Sequence, residues 1–108
     1  MDEATRQIAN ELSAHLAPFE GTAKPMFGGY CVYVDDKVVG LVNDGRIFVK
    51  ITPATAALDG WADHAPAYPG AKDSWRLPIN ALDANPDRVV EAFQVTAAAL
   101  PAKRPRKR

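Results

Sequence analysis

Gly28-Gly29-Tyr30-Cys31-Val32-Tyr33-Val34-Asp35-Asp36-Lys37-Val38-Val39-Gly40-Leu41-Val42-Asn43-Asp44-Gly45-Arg46-Ile47-Phe48-Val49-Lys50-Ile51 holds three apolar runs of strand length, separated by two aspartate turns. Valine, isoleucine and aromatic side chains suit a pleated surface, and alternate residues of a strand point to opposite faces. Residues 30–34 therefore place Tyr30, Val32 and Val34 on one face and Cys31 and Tyr33 on the other. Asp35-Asp36-Lys37 turns the chain, because aspartate tolerates left-handed backbone angles better than most residues, and residues 38–42 return antiparallel. Asn43-Asp44-Gly45 is the stronger turn, with Gly45 at the positive-φ position of a bulged hairpin loop. In residues 46–51, Ile47, Val49 and Ile51 point toward a core, and Arg46, Phe48 and Lys50 point away from it. At the entry to the run, Gly28 and Gly29 supply backbone geometry that a side chain would resist.

Upstream, Asp2 is placed to cap a helix whose apolar stripe is Ile8, Leu12 and Leu16 with Ala4 and Ala9, ended by Pro18. Downstream, Thr52-Pro53 opens a short helix that runs to Leu58 and stops at Asp59-Gly60. Residues 61–73 lose periodicity, with Trp61 and Tyr68 expected as anchors and a short strand near Tyr68. Residues 74–77 read as a further strand, closed by Pro78, which cannot donate to a ladder. Asn85-Pro86 starts the last helix, with Val89, Val90, Phe93, Ala97 and Leu100 on its apolar side and Pro101 at its end. These elements predict an α+β fold of two layers, an antiparallel meander sheet with the N- and C-terminal helices packed on one face. Residues 1–100 form one domain on this reading, and residues 101–108 a disordered basic tail.

Charge is divided unevenly along the chain. The totals balance at 13 basic and 13 acidic residues, but Lys103, Arg104, Arg106, Lys107 and Arg108 supply five of the basic ones, so residues 1–100 carry 8 against 13, a net of −5. No apolar run approaches the roughly 18 residues of a membrane span. The acidic start Met1-Asp2-Glu3 is unlike the basic start of a signal peptide, and the single Cys31 forms no intramolecular disulfide. These features point to the cytoplasm and away from membranes.

Lys24, Met26-Phe27-Gly28-Gly29, the aromatic strand of residues 30–34, Asp35-Asp36, the apolar residues 38–42, Asp44-Gly45 and Ile47-Phe48-Val49-Lys50 together resemble the opening sheet of the TfoX/Sxy N-terminal domain family. A second stretch, Ser74-Trp75-Arg76-Leu77-Pro78, is similar to a later strand of the same family. The resemblance implies the same two-layer arrangement and a non-enzymatic module of transcriptional control, including competence in bacteria where full-length members act. Full-length members carry a second, C-terminal helical domain, which has no counterpart in this sequence. The family commonly has glycine at the place of Cys31, so the resemblance implies no catalytic thiol.

The residues themselves recommend no chemistry of catalysis. His15 and His64 have no cysteine or second histidine near them in sequence, Cys31 lies in mid-strand, and no metal-ligand spacing occurs. Gly28-Gly29 precedes a strand, whereas a phosphate loop precedes a helix. The expectation is therefore no catalytic residue, no metal, no cofactor and no identified small-molecule substrate. Tyr30, Arg46, Phe48, Lys50, Trp75 and Arg76 form a candidate interaction face for a protein partner or a second copy, since aromatics and arginine are enriched at such surfaces. Nucleic acid is the alternative, stacked on the Arg46/Phe48/Lys50 face and held by the tail cations Lys103, Arg104, Arg106, Lys107 and Arg108.

Overall fold

A six-stranded antiparallel sheet forms one layer of the structure, a computed structural model that describes residues 3–26 and 28–101. The expected cap Asp2, the motif residue Phe27 and the tail cations Lys103, Arg104, Arg106, Lys107 and Arg108 lie outside the described residues. Helix α1 spans Glu3–Leu16; the strands are β1 (Gly21–Met26), β2 (Gly29–Val34), β3 (Lys37–Asn43), β4 (Arg46–Val49), β5 (Asp63–Pro66) and β6 (Asp73–Arg76). Helices α2 (Ala81–Ala84) and α3 (Pro86–Ala99) follow. The spatial order β1-β2-β3-β4-β6-β5 is a meander with its last hairpin reversed.

α1 and α3 cover one face of this sheet and touch each other. Leu12, Leu16, Val89 and Phe93 from the helices join Val32, Val39, Val42 and Val49 from the strands in one core, all essentially without exposure. Ile8 and Leu100, expected in this core, are only partly buried at its rim. Side-chain bonds fasten the layers: the Ser13 hydroxyl accepts from Ala23 N at 2.9 Å, and Thr5 Oγ1 accepts from Gly45 N at 2.8 Å. Lys37 closes the far end of α3, donating to the carbonyls of Ala97 (2.8 Å) and Leu100 (3.3 Å), where the helix exposes unpaired acceptors and partial negative charge.

The expected meander and its helices are present, with several corrections. β1 is absent from the sequence reading because Gly21, Lys24 and Pro25 dilute any strand pattern; an edge strand accepts them, since Pro25 has no neighbour on its outer side to donate to. The irregular stretch contains β5, at Asp63–Pro66 rather than near Tyr68. β4 stops at Val49, so Ile51 leaves the sheet and is 38% exposed rather than part of the core. The helix after Thr52 is of the 3-10 kind over Pro53–Leu58, and α2 is an extra turn before the last helix. Trp61 packs against the core beneath the Arg88 guanidinium, 4.2 Å above its ring, whereas Tyr68 is not the anchor expected of it.

Thr55 is the polar centre of this second half. Its buried hydroxyl accepts from Thr52 N (3.0 Å) and Trp75 Nε1 (2.9 Å) and donates to the Thr52 carbonyl (2.9 Å). Valine has nearly the same shape and no oxygen, so Thr55→Val would leave the buried Trp75 Nε1–H and the half-buried Thr52 N–H unpaired. The expected loss is about 2 kcal/mol in urea unfolding, within the range for orphaned buried donors. A midpoint equal to that of the unsubstituted protein would show that the hydroxyl does not hold Trp75.

Candidate interaction surface

Residues paired across neighbouring strands share a face, so the register decides which side chains meet. Tyr30, Val42 and Ile47 lie in one cross-strand row, and Val32, Gly40, Val49 and Trp75 in the next helix-side row. Tyr30 and Trp75 thus belong to the core and do not stand beside Phe48 as the sequence reading groups them. The opposite rows run Lys24, Cys31, Leu41, Phe48, Arg76, Asp63 and Met26, Gly29, Asn43, Arg46. Lys50 follows β4 and continues its ladder by donating its N–H to Val39 O at 2.9 Å. Arg46, Phe48, Lys50 and Arg76 therefore start from the helix-free side with Lys24, Met26, Leu41 and Asn43, which sequence reasoning misses, but they do not form one cluster: Arg46 lines a groove with Ala4, Ile8 and Glu11, and Lys50 a depression with Asp36 and Leu100.

That side is not the open aromatic platform expected of it. Phe48 is 5% exposed, and with Cys31 and Ala67 it is buried outside the helix-side core. The connection between β5 and β6 reaches this face: Asn43 Nδ2 donates to the Ala67 carbonyl at 2.7 Å, and Tyr68, 51% exposed, stands at the rim. Between Tyr68 and the β1–β2 turn lies a cavity of about 320 Å³, lined by Met26, Gly29, Tyr30, Leu41, Val42, Asn43 and Tyr68. Gly29 is needed at its wall, because a Cβ there would stand 2.7 Å from the Val42 carbonyl oxygen. Gly28 and Gly45 take positive φ (86° and 72°), a geometry that favours glycine.

The polar groups of this face are held in definite ways. Arg46 donates from Nε (3.2 Å) and Nη2 (2.8 Å) to the Leu77 carbonyl, tying β4 to the end of β6. Arg76 meets Asp63 at 3.3 Å, while its buried Nε has no hydrogen-bond partner among the described residues. The Lys24 ammonium lies 5.5 Å from the Tyr33 ring centre. Tyr33 is held above its ordinary pKa, first by its hydrogen bond with the Cys31 side chain, then by repulsion between the two ionised forms, then by burial. The phenol therefore stays neutral at physiological pH.

The histidines lie apart from this face's chemistry: both are exposed, and the ring of His64 meets the Trp75 ring edge-on at 4.4 Å. Among the described residues no group of three His, Cys, Asp or Glu side chains could hold a metal ion, and no helix is long and apolar enough to cross a membrane.

Residues 13–99, nearly the whole described fold, match the TfoX N-terminal domain. The chain belongs to that family. A relative in Spirochaeta aurantia, described as an uncharacterized 12.7 kDa protein in the trpE 5' region, is 44% identical over 82 residues, covering 76% of this chain and 70% of the relative. Within this TfoX N-terminal domain the matched residues include every strand and the last helix, so the residues that line the cavity lie inside the matched segment.

Proposed function

We propose that this chain is a non-enzymatic regulatory module that acts in the cytoplasm through a protein partner or a second copy, in transcriptional control of the kind associated with the TfoX family, competence included. The observation that carries this reading is the exposed pair Tyr68 and Met26, 51% and 36% exposed, at the rim of an apolar cavity on the helix-free side. Large apolar side chains around a concavity are the usual anchors of protein contacts, because they release water from both surfaces when covered.

The test is recovery of bound molecules from native lysate with three baits: the intact chain, the chain lacking residues 101–108, and Met26→Asp/Tyr68→Ala. A defined protein should be retained by the first two baits and lost from the third. A strain carrying the double substitution should then show the transcript changes of the deletion strain. Recovery of nucleic acid alone, lost when the tail is removed, would instead favour a nucleic-acid-binding accessory role.

A further inference from the structure

Asn43 sets the polarity of the space beneath Tyr68. Its Nδ2 donates to the Ala67 carbonyl at 2.7 Å, and since that carbonyl can only accept, the other end of the amide is Oδ1. Oδ1 stands 3.1 Å from the position a Gly29 Cβ would take, on the wall that Asn43 and Gly29 give to the cavity. It accepts no hydrogen bond among the described residues. The site therefore presents one open acceptor.

No charged side chain lines the cavity. Lys24 lies by the Tyr33 ring, Arg46 holds the Leu77 carbonyl, and Arg76 is paired with Asp63. An ion entering here would lose its water without gaining a counter-charge, which costs far more than burying a neutral group. Size sets a second limit. An apolar cavity of about 150 Å³ accepts benzene, and this one, at about 320 Å³, has room for two fused rings. The wall is also formed in advance: Ala67 is buried, and Ala71 N donates to the Tyr68 carbonyl at 3.1 Å across a turn in which Gly70 takes a φ of 87°. The backbone that carries Tyr68 is thus set before anything enters, which lowers the ordering cost of binding.

From this we infer that the cavity binds a small uncharged aromatic molecule, roughly bicyclic in size, that donates one N–H or O–H to Asn43 Oδ1 while its rings lie among Met26, Leu41 and Tyr68. The Met26 thioether and the Tyr68 phenol both make favourable contacts with aromatic rings. The inference goes beyond the protein-contact reading, which concerns the rim and the partner that covers it.

Indole is the probe, titrated into the intact isotope-labelled protein and followed by its amide resonances. It should bind with a Kd of about 1 mM or tighter, within reach of an enclosed ligand of so few atoms, and shift the amides of Gly29, Leu41, Val42 and Tyr68. 1-Methylindole keeps the rings and lacks the donor, so it should bind about fivefold more weakly, the equivalent of one neutral hydrogen bond. Indole-3-carboxylate, whose charge sits on the ring itself, should bind about tenfold or more weakly. Met26→Trp, at an exposed position, should fill the cavity and abolish the shifts with melting unchanged; should that variant unfold, the resonance map and the three-probe comparison on the unsubstituted protein still decide. Equal binding of indole and 1-methylindole removes Asn43 from the site, equal binding of the carboxylate removes the neutral chemistry, and shifts elsewhere, or none, remove the site. Each of these overturns the inference. The protein-contact reading fails separately, if the Met26→Asp/Tyr68→Ala bait retains the same protein as the intact chain.

Discussion

Phe93→Ala is expected to remove about 3 to 5 kcal/mol of stability, the usual cost of emptying a fully buried phenylalanine site. Phe93 heads the fully buried side chains by size and comes from α3 into the core that the strands and α1 complete. The cavity would open beneath the helix that Lys37 pins at its other end, which limits how far α3 can sink to refill it. Set against a typical total of about 5 to 15 kcal/mol, this loss would lower the melting temperature by on the order of 15 °C. Calorimetry or urea unfolding reads it directly. A melting temperature within about 4 °C of the unsubstituted protein would mean that α3 does not pack as described.

Gly40→Ala should cost about 3 kcal/mol or more, beyond the roughly 1 kcal/mol separating glycine from alanine by backbone freedom alone. A Cβ at this position would stand 2.1 Å from the Phe48 carbonyl oxygen and 2.7 Å from Phe93 Cε1. The site lies at a β-bulge: Val32 pairs with Gly40 and Tyr33 with Val38, leaving Val39 as the extra residue. The bulge draws β3 toward β4 and α3, and only glycine leaves room for both. Combining Gly40→Ala with Phe93→Leu separates the two obstructions. The pair should cost less than the sum of its members, because the ring is gone, yet more than Phe93→Leu alone, because the main-chain oxygen cannot retreat without breaking the sheet. Additive costs in that cycle would show that Gly40 and Phe93 do not meet.

The candidate surface is partly legible in the amino-acid sequence. Period-two alternation puts Arg46, Phe48 and Lys50 on the side away from Ile47 and Val49, and the register keeps Arg46 and Phe48 there, whereas Lys50 follows the end of β4 and lies in a depression with Asp36 and Leu100. Tyr30 and Trp75 cannot be placed relative to them by alternation alone. The face they share depends on which residues pair across two turns and a bulge, and a shift of one residue reverses every side chain. Lys24 and Met26 carry part of the family resemblance but are not assigned to this face, because β1 lacks an apolar alternation, although Thr22, Lys24 and Met26 do alternate as one face of an edge strand.

By itself the sequence determined the local grammar of this family member: the β2–β3–β4 meander, the aspartate and glycine turns, and helices beginning and ending near their caps and prolines. Those features depend on interactions between residues close in the chain, so they are written in short-range pattern. Tertiary structure alone decided that Phe48 and Cys31 are buried on the helix-free side, that Gly40 is required by Phe93, and that Tyr68 faces Met26 across a cavity. Each of these joins residues many positions apart. Burial and close approach are properties of packed surfaces, and a chain acquires them only when its layers meet.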